Sequence, residues 1–184
     1  MKKDVQPNLL KHNLNNGSLL CFLGRFISSN VYLMIIDLKA VAVDCGMPWT
    51  ANRVLDYLNK KHLKLEYILL THSHFDHVMG LNRLRKRVET KVVASTRSRR
   101  GDMTVTDGDL INAIDNQLSF LVLYTGVHKA DHVWYYETSN QILFVGDCLP
   151  TLTELKTLKK RHAAEPKIIL PGHGELTLLS NGII

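Results

Sequence analysis

The sequence predicts a layered α/β fold in which helices cover β-sheets. Short apolar or β-branched runs bounded by turn residues recur in both halves of the chain and indicate strands. A segment with apolar residues at helical spacing follows such runs in each half, so the halves share a plan of strands followed by a helix. No linker separates them, and 184 residues is close to the usual size of one domain. We therefore expect residues 1–184 to form a single domain.

The first half of the chain begins with strands. Turn residues separate its first three apolar runs, which predicts consecutive antiparallel strands. Thr50 is a suitable N-cap for a helix that ends near Lys61. A further strand then leads directly into a cluster of histidines. The predicted strands of this half are residues 19–23, 31–36, 40–43 and 67–70.

The second half repeats the alternation of strands and helices. A helix with a basic outer face is predicted over residues 78–88, and residues 95–101 form a polar, arginine-rich loop. A last helix runs from about Thr151 to His162. The predicted strands of this half are residues 91–94, 118–124, 133–137, 141–145 and 167–170.

The composition and the cysteine content limit the classes of protein to which this chain can belong. Hydrophobic residues make up 45% and charged residues 22%, which is typical of a globular domain rather than of a disordered chain. No apolar run approaches the ~20 residues of a membrane helix, and the N-terminus shows no signal peptide. Cys21, Cys45 and Cys148 are too scattered for a disulfide framework or a Cys-x-x-Cys zinc site. We expect a cytoplasmic protein without a membrane partner.

Four side chains that can bind metal fall within six residues, 72–77, just after the strand 67–70: His72, His74, Asp76 and His77. On a regular strand the first three would share one face. A turn that leaves the sheet can instead direct His72 and His74 to one ion and Asp76 and His77 to another. Any one of these residues alone would be interpreted as a solvated loop histidine or a helix cap, but their crowding favours a metal site.

The spacing His-x-His-x-Asp-His resembles the signature motif of the metallo-β-lactamase superfamily. Further ligand positions of that family have counterparts here in the correct order along the chain and in matching local sequence. The resemblance extends from about Asn30 to Glu175 and implies a four-layer αβ/βα sandwich with its site at one edge of two facing sheets. The matching positions are His128 in Thr-Gly-Val-His, Asp147 in Phe-Val-Gly-Asp and His173 in Leu-Pro-Gly-His-Gly.

The resemblance also implies a ligand set for two divalent metal ions. Zinc is expected, and iron and manganese are also compatible with histidine and carboxylate ligands. Asp76 and Asp147 are the candidate catalytic residues of an implied mechanism in which a metal-bridging hydroxide attacks the substrate and Asp76 orients it. One ion would be held by His72, His74 and His128, the other by Asp76, His77 and His173, with Asp147 bridging both.

Three other residues lie near these motifs. The roles of two of them stay open, and the third is expected to be a packing residue. Asp44 either orients a ligating histidine or is an ordinary turn aspartate. His132 follows His128 by four residues and is either a supporting residue near the ligands or substrate or a residue without a functional role. We expect Cys148 to be a buried packing residue. His12, His62 and His162 have no neighbouring ligands in the sequence and are expected at the surface.

The segment 128–136 resembles the hydroxyacylglutathione hydrolase branch, which implies hydrolysis of small esters or thioesters and a small-molecule substrate. Asp131 replaces the usual glycine of that branch, and Cys148 to Leu152 stand where a lysine and a tyrosine are expected. We also expect the chain to lack the C-terminal helical region that supplies glutathione contacts in those hydrolases. Recognition of glutathione therefore stays open.

The alternatives are a metal-dependent lactonase, a phosphodiesterase or nuclease, and a non-catalytic binding module. The formal net charge of +6 favours anionic ligands. Nucleic acid is not favoured as a partner because no aromatic residues are interleaved with the basic ones, and the complete ligand set argues against a non-catalytic module. The sequence defines no oligomeric state. The basic residues that motivate the nuclease alternative are Arg83, Arg85, Lys86, Arg87, Arg97, Arg99 and Arg100.

Overall fold

The computed structural model describes residues 9–174 and 177–178, and Glu175, where the family resemblance ends, lies outside them. The chain forms two β-sheets that face each other. The first sheet has seven strands, which lie side by side in the order of the sequence. These strands are β1 (Leu9–Leu14), β2 (Gly17–Phe22), β3 (Val31–Ile36), β4 (Lys39–Val43), β5 (Lys64–Leu69), β6 (Lys91–Ser95) and β7 (Met103–Val105).

The second sheet has six strands, and its spatial order is the reverse of the sequence order. Its strands are β8 (Leu110–Ala113), β9 (Leu118–Tyr124), β10 (Val133–Glu137), β11 (Ile142–Gly146), β12 (Ile168–Pro171) and β13 (Thr177–Leu178). Four helices complete the described residues, and they are α1 (Pro48–Lys61), α2 (Phe75–Val78), α3 (Leu81–Arg85) and α4 (Leu152–His162). No helix in this part of the chain is long and apolar enough to cross a membrane.

Alternation of side chains along the strands produces three apolar layers. In β3, Tyr32 and Met34 belong to the core between the sheets, whereas Leu33 packs into a second core beneath α1. In β10, Tyr135 lies in the core between the sheets and Trp134 faces the layer that contains α4 residues. Helices therefore cover the outer faces of both sheets, which confirms the predicted four-layer αβ/βα sandwich.

Parallel pairing places several strand ends at the same edge of the molecule. Strands β1 to β4 are antiparallel, but β4, β5, β6 and β7 are parallel to one another, and β11 is parallel to β12. The carboxyl ends of β4 and β5 thus lie together, as do those of β11 and β12. A backbone hydrogen bond of 2.9 Å from Val133 N to Thr71 O joins the two sheets at this edge.

The helices differ from the prediction in two places. Helix α1 starts at Pro48, and its N-cap is Met47; Thr50 is buried and its hydroxyl contacts Ser28 Oγ at 2.8 Å instead. The assignment of Thr50 as the cap was wrong because Pro48 presets the first helical turn, so that the cap is Met47, three residues earlier. In place of the helix expected over residues 78–88, the chain forms α2 and α3, which are divided at Met79 and Gly80 although both residues keep right-handed helical angles. A Cβ atom at Gly80 would lie 2.7 Å from the Cβ of Ala51. That glycine allows α3 to pack closely on α1.

The strands that the sequence did not predict share one position in the fold, since all of them are sheet edges. Strands β1 and β7 border the seven-stranded sheet, and β8 and β13 border the six-stranded one. An edge strand needs no continuous apolar run, because one side of it has no neighbouring strand and its side chains can face water. The central strands are flanked on both sides and retain the apolar runs that predicted them.

Two phenylalanines provide a test of the core between the sheets. Phe120 is 0% exposed and belongs to that core, whereas Phe26 is 96% exposed. We expect Phe120→Ala to lower the free energy of unfolding by about 3–5 kcal/mol. Phe26→Ala, the matched control, should change it by less than about 0.5 kcal/mol. Chemical denaturation of both variants measures the difference, and equal losses would contradict this description of the core.

Candidate metal centre

The edge described above gathers all seven predicted ligands from four segments of the chain. The segment after β5 carries His72 and His74 in a loop and Asp76 and His77 in helix α2, and three other loops follow β9, β11 and β12. The structure therefore brings together residues separated by up to 101 positions, since 173 − 72 = 101. The residues contributed by these other loops are His128, Asp147 and His173.

The first group of candidate ligands contains His72, His74, His128 and Asp147, whose ligand atoms all lie within 4.8 Å of one another. His74 Nδ1 is 3.1 Å from His72 Nε2 and 2.9 Å from His128 Nε2. Asp147 Oδ2 lies 3.4 Å from His128 Nε2. Nitrogen atoms bound tetrahedrally to one zinc ion are about 3.3 Å apart, given zinc–nitrogen bonds of about 2.0 Å. The spacing of this group suits one such ion.

The second group contains Asp76, His77, Asp147 and His173, and its ligand atoms also lie within 4.8 Å of one another. His173 Nε2 is 2.9 Å from Asp76 Oδ2, and His77 Nε2 is 2.9 Å from Asp147 Oδ1. Asp147 therefore offers a different carboxylate oxygen to each group. The seven side chains thus lie in two groups that share Asp147. Their assignment as metal ligands stays a prediction.

Two buried atoms at the centre support a cation site. His77 Nε2 and Asp147 Oδ1 are buried and lie 2.9 Å from each other, and neither has another hydrogen-bond partner among residues 9–174 and 177–178. Buried polar atoms are normally hydrogen-bonded, because an unsatisfied one retains its full desolvation cost. A divalent cation between these two atoms would satisfy both. The donor set of imidazole and carboxylate groups therefore fits zinc, iron or manganese.

Asp44 fixes the orientation of His77 from behind. Its Oδ2 atom accepts hydrogen bonds from His77 Nδ1 at 2.7 Å and from Thr71 Oγ1 at 2.8 Å, while Oδ1 accepts one from Thr71 N at 2.8 Å. When Nδ1 donates its proton to Asp44 and Nε2 is unprotonated, the lone pair of Nε2 faces the centre and can bind a cation. Asp44 also has a left-handed backbone with φ of 60°. The structure thus supports the orienting role while retaining the turn geometry.

Burial and neighbouring charges set the protonation of these residues. Burial lowers the pKa of His72 to about 2, with a contribution from nearby His77, and burial also lowers the pKa of His74. Burial opposes a charge on His77, but Asp44 and Asp147 raise its pKa to about 10. Burial opposes ionisation of Asp147 too, yet His77 holds the pKa of that carboxyl well below its usual range. Neutral His72 and His74 and an ionised Asp147 are in the states that bind cations, whereas His77 has to release a proton before its Nε2 atom can bind one.

Two residues beside the centre behave differently from the ligands. His132 is buried but belongs to neither group; its Nδ1 contacts Thr125 Oγ1 at 2.7 Å and its ring lies 5.1 Å from that of His72. It therefore packs against a candidate ligand. Cys148 is only half-buried, so the expectation of a buried thiol was wrong. Its carbonyl oxygen accepts a hydrogen bond from Trp134 Nε1, which holds the loop after β11.

The histidines excluded from the site lie away from both groups. His12 is in β1, His62 is the C-cap of α1 and His162 is the last residue of α4. None of them belongs to a potential metal-binding group among the described residues. That these three histidines take no part in metal binding stays a prediction, since the structure describes only their positions.

Sequence reasoning missed two residues that position the ligand loops. Thr71 presents both its backbone N–H and its hydroxyl to Asp44. Asn30 donates from Nδ2 to the carbonyl oxygens of Pro171 and Gly174, at 3.1 Å each, and so holds the loop that carries His173. Both are polar residues directly beside an apolar strand, which is the available signal for a buried polar contact at a sheet edge.

Comparison with known sequences finds one family and a consistent set of relatives. The family described as the metallo-beta-lactamase superfamily matches residues 24–100. A hydroxyacylglutathione hydrolase of Francisella tularensis subsp. novicida (strain U112) is 34% identical over 131 residues, covering 70% of this chain and 50% of that protein. A hydroxyacylglutathione hydrolase of Legionella pneumophila (strain Paris) is 32% identical over 125 residues, covering 66% and 48%. The chain thus spans about half the length of the curated relatives it matches.

Solved structures share the architecture. The B3 metallo-beta-lactamase BLEG-1 has a TM-score of 0.73 and 24% sequence identity, with 88% of this chain and 94% of that chain covered. ETHE1 from Myxococcus xanthus has a TM-score of 0.66 and 23% identity, covering 95% of this chain and 79% of that chain. At these identities the likeness establishes the fold alone.

The fold and the two groups of histidine and aspartate define the class as an αβ/βα sandwich protein with a candidate metal centre at the edge of its sheets. The chain belongs to the metallo-beta-lactamase superfamily. Within that superfamily it is similar to the hydroxyacylglutathione hydrolases, which confirms the resemblance found in its motifs.

The contacts of Asp44 predict the effect of replacing it. Asp44→Asn keeps the shape and tolerates the left-handed backbone, but it removes the charge that orients His77. We expect zinc affinity to fall roughly 10–100-fold. The matched control is Asp37→Asn, because Asp37 is exposed and has a similar φ of 51°. Competition with a chromophoric chelator measures both affinities. An unchanged zinc affinity in Asp44→Asn would show that Asp44 is a turn residue and does not orient His77 for metal binding.

Proposed function

We propose that this chain is a metal-dependent hydrolase that binds two divalent ions and cleaves small esters or thioesters. The observation that carries the proposal is the pair of ligand groups that share Asp147, each compact enough for one ion. One ion would be held by His72, His74 and His128. The other would be held by Asp76, His77 and His173, with Asp147 contributing to both. Zinc is the proposed metal, and iron or manganese would use the same donors.

The bound ions would supply a water of lowered pKa, near about 7, and would polarise the carbonyl group of the substrate. The protein's own residues have separate tasks. Asp147 spans the two groups with its two oxygens, and Asp44 holds His77 in the required tautomer. Asp76, with Oδ2 beside His173 Nε2, is proposed to orient the attacking water. The candidate catalytic residues are therefore Asp76 and Asp147.

The reaction that we propose is thioester hydrolysis. The oxygen of water forms a bond to the acyl carbon, the carbon–sulfur bond breaks, and the sulfur leaves with the electron pair and takes up a proton. The products are a carboxylic acid and a thiol. The printed name of the relatives, hydroxyacylglutathione hydrolase, supports this class of reaction, and so does the similarity of the segment 128–136 to that branch.

The sequence differs from that of the hydroxyacylglutathione hydrolases at two places, and for this reason we do not propose glutathione as the thiol part of the substrate. Asp131 stands where those hydrolases have glycine, and its buried carboxylate has no hydrogen-bond partner in the part of the chain that the structure describes. Cys148 stands at the start of the segment where a lysine and a tyrosine are expected. The thiol part of the substrate therefore has to be identified from other residues.

A phosphodiesterase or nuclease is the second candidate, and the basic surface is the observation that favours it. Two of the arginines concerned are engaged within the protein, since Arg85 pairs with Asp102 at 2.6 Å and Arg97 lies 4.7 Å from the ring centre of Tyr124. The remaining basic residues do not form a track with aromatic side chains, as single-stranded nucleic acid requires. We therefore rank this function, and a lactonase, below thioester hydrolysis.

We further propose that residues 1–184 act as a single domain in the cytoplasm. The single inter-sheet core supports the first statement, because it combines side chains from the first and second halves of the chain. The three free cysteines, Cys21, Cys45 and Cys148, support the second, since unpaired thiols are typical of a reducing compartment.

Alanine substitution of ligands tests the metal assignment. We expect His74→Ala and Asp147→Ala to lower metal content and hydrolytic activity together, with Asp147→Ala affecting both ions because it contributes to both groups. The control is His162→Ala, which removes a histidine at the end of α4. Metal content by mass spectrometry and activity are measured on the same samples. Full activity in a metal-depleted variant, or loss of metal in His162→Ala, would contradict the assignment.

Thiol release tests the reaction class. We expect the purified protein to hydrolyse thioesters such as S-lactoylglutathione or simpler acyl thioesters, and chelation of the metal should abolish the activity. Readdition of zinc, iron or manganese to the stripped protein should restore it and identify the most effective ion. If the metal-bound protein releases no thiol, the proposed thioester hydrolysis is wrong, and lactones or phosphodiesters become the proposed substrates.

A further inference from the structure

A groove on the protein surface lies between the beginning of α1 and helix α3. Its floor includes Met79, which is 51% exposed, and its walls carry basic side chains. No acidic residue lines it. The groove is lined by Pro48, Met79, Asn82, Arg83, Lys86 and Arg87.

The three basic residues of the groove share one face of the chain. Arg83, Lys86 and Arg87 stand at positions i, i+3 and i+4, and backbone hydrogen bonds such as Lys86 N to Asn82 O continue the helical turn beyond α3. Arg85 lies between them in sequence but pairs with Asp102 at 2.6 Å. None of the three forms an ion pair within residues 9–174 and 177–178. Their mutual repulsion is unfavourable and would be relieved by an anion.

The groove is close to the candidate metal centre along the chain. Asp76 belongs to the second ligand group, Met79 follows it by three residues, and Arg83 follows it by seven. Both Met79 and Gly80 have right-handed helical backbone angles, so the path from Asp76 to Arg83 is nearly helical. At a rise of 1.5 Å per residue, Arg83 lies about 10 Å along that path. A ligand in the groove can therefore extend into the centre only if its anionic and reactive groups are well separated.

We propose that this groove binds the phosphate groups of the thiol part of the substrate, so that the substrates are thioesters of a phosphorylated carrier thiol of the coenzyme A type. This proposal rests on the proposed function and specifies its substrate class. The acyl–sulfur bond lies at the candidate metal centre, and an extended arm passes Met79 to reach Arg83, Lys86 and Arg87. Met79, an exposed apolar side chain between Asp76 and Arg83 in the chain, provides contact surface for the arm.

Charge distinguishes this class from glutathione. Glutathione carries two carboxylates and an ammonium group, with a net charge near −1, whereas the groove offers three positive side chains and no carboxylate to receive the ammonium. Phosphate groups carry more negative charge and accept bidentate hydrogen bonds from arginine. Single-stranded nucleic acid is a poorer match, because no aromatic side chain lines the groove for base stacking.

The first experiment measures binding without turnover. Adenosine 3′,5′-bisphosphate resembles the phosphorylated end of such a thiol but contains no thioester, so its affinity does not depend on hydrolysis. Calorimetric titration should show binding to the wild-type protein and a loss of at least about tenfold in Arg83→Glu and Arg87→Glu. Arg99→Glu is the matched control, because it makes the same change of net charge at an exposed arginine outside the groove. Its affinity should stay within about twofold of wild type.

Three results of this titration would overturn the groove assignment: no binding, equal losses in all three variants, or tighter binding of glutathione or a short single-stranded oligonucleotide than of the bisphosphate. If the protein binds inorganic pyrophosphate and coenzyme A with equal affinity, the groove is a general phosphate site, and the assignment of the carrier thiol is overturned. Circular dichroism on each variant confirms that the exposed substitutions leave the fold intact.

The second experiment measures turnover on two thioesters. Arg83→Glu and Arg87→Glu should raise KM for an acyl-coenzyme A about tenfold or more and leave KM for a phosphate-free acyl thioester within about twofold. If neither thioester is hydrolysed while the bisphosphate still binds in the groove, the proposed function fails and the phosphate site stands. If both are hydrolysed with KM values that the variants do not alter, the hydrolase stands and the groove proposal fails.

Discussion

The buried contacts of Asp44 are the constraint on which the candidate centre depends. A carboxylate that is almost inaccessible to solvent is stable only when its oxygens accept hydrogen bonds, and Asp44 receives them from Thr71 and His77. These contacts join the end of β4, the end of β5 and helix α2. A shift of either strand by one residue would leave the carboxylate unsatisfied, so the same interaction fixes the strand ends and directs the imidazole of His77.

The centre is built across two sheets, and backbone contacts hold the sheets in place around it. Val133 N donates to Thr71 O, and Tyr135 donates from its hydroxyl to Leu70 O, which ties the start of β10 to the end of β5. Gly172 N donates to Gly146 O at 2.6 Å, so the loops that carry Asp147 and His173 are also joined. The candidate ligands therefore lie on loops and on the short helix α2, and the adjoining strands fix the backbones of these segments, as a preorganised site requires.

The sequence predicted the central strands and the grouping of the ligands, and its failures have physical reasons. A central strand that lies between the opposite sheet and a covering helix is apolar on both faces, as β3 is, and this leaves a signal that the edge strands do not need. The cluster after β5 was recognisable because its ligands are adjacent in the chain. The contacts of Asn30 with the loop after β12 were not, because they join residues more than 140 positions apart. Thr50 illustrates a third reason, since a local capping rule was overridden by Pro48.

Asp147 also limits how the centre can change during evolution. Each of its oxygens serves a different group, whereas His74 and His173 each belong to one group only. If each group holds one ion, as proposed, a lineage that loses or replaces a histidine of one group retains the other group intact. Loss of Asp147 alters both groups in one step. Substitutions at the histidines that belong to one group are therefore expected to be tolerated more often than substitutions at Asp147, which both groups share.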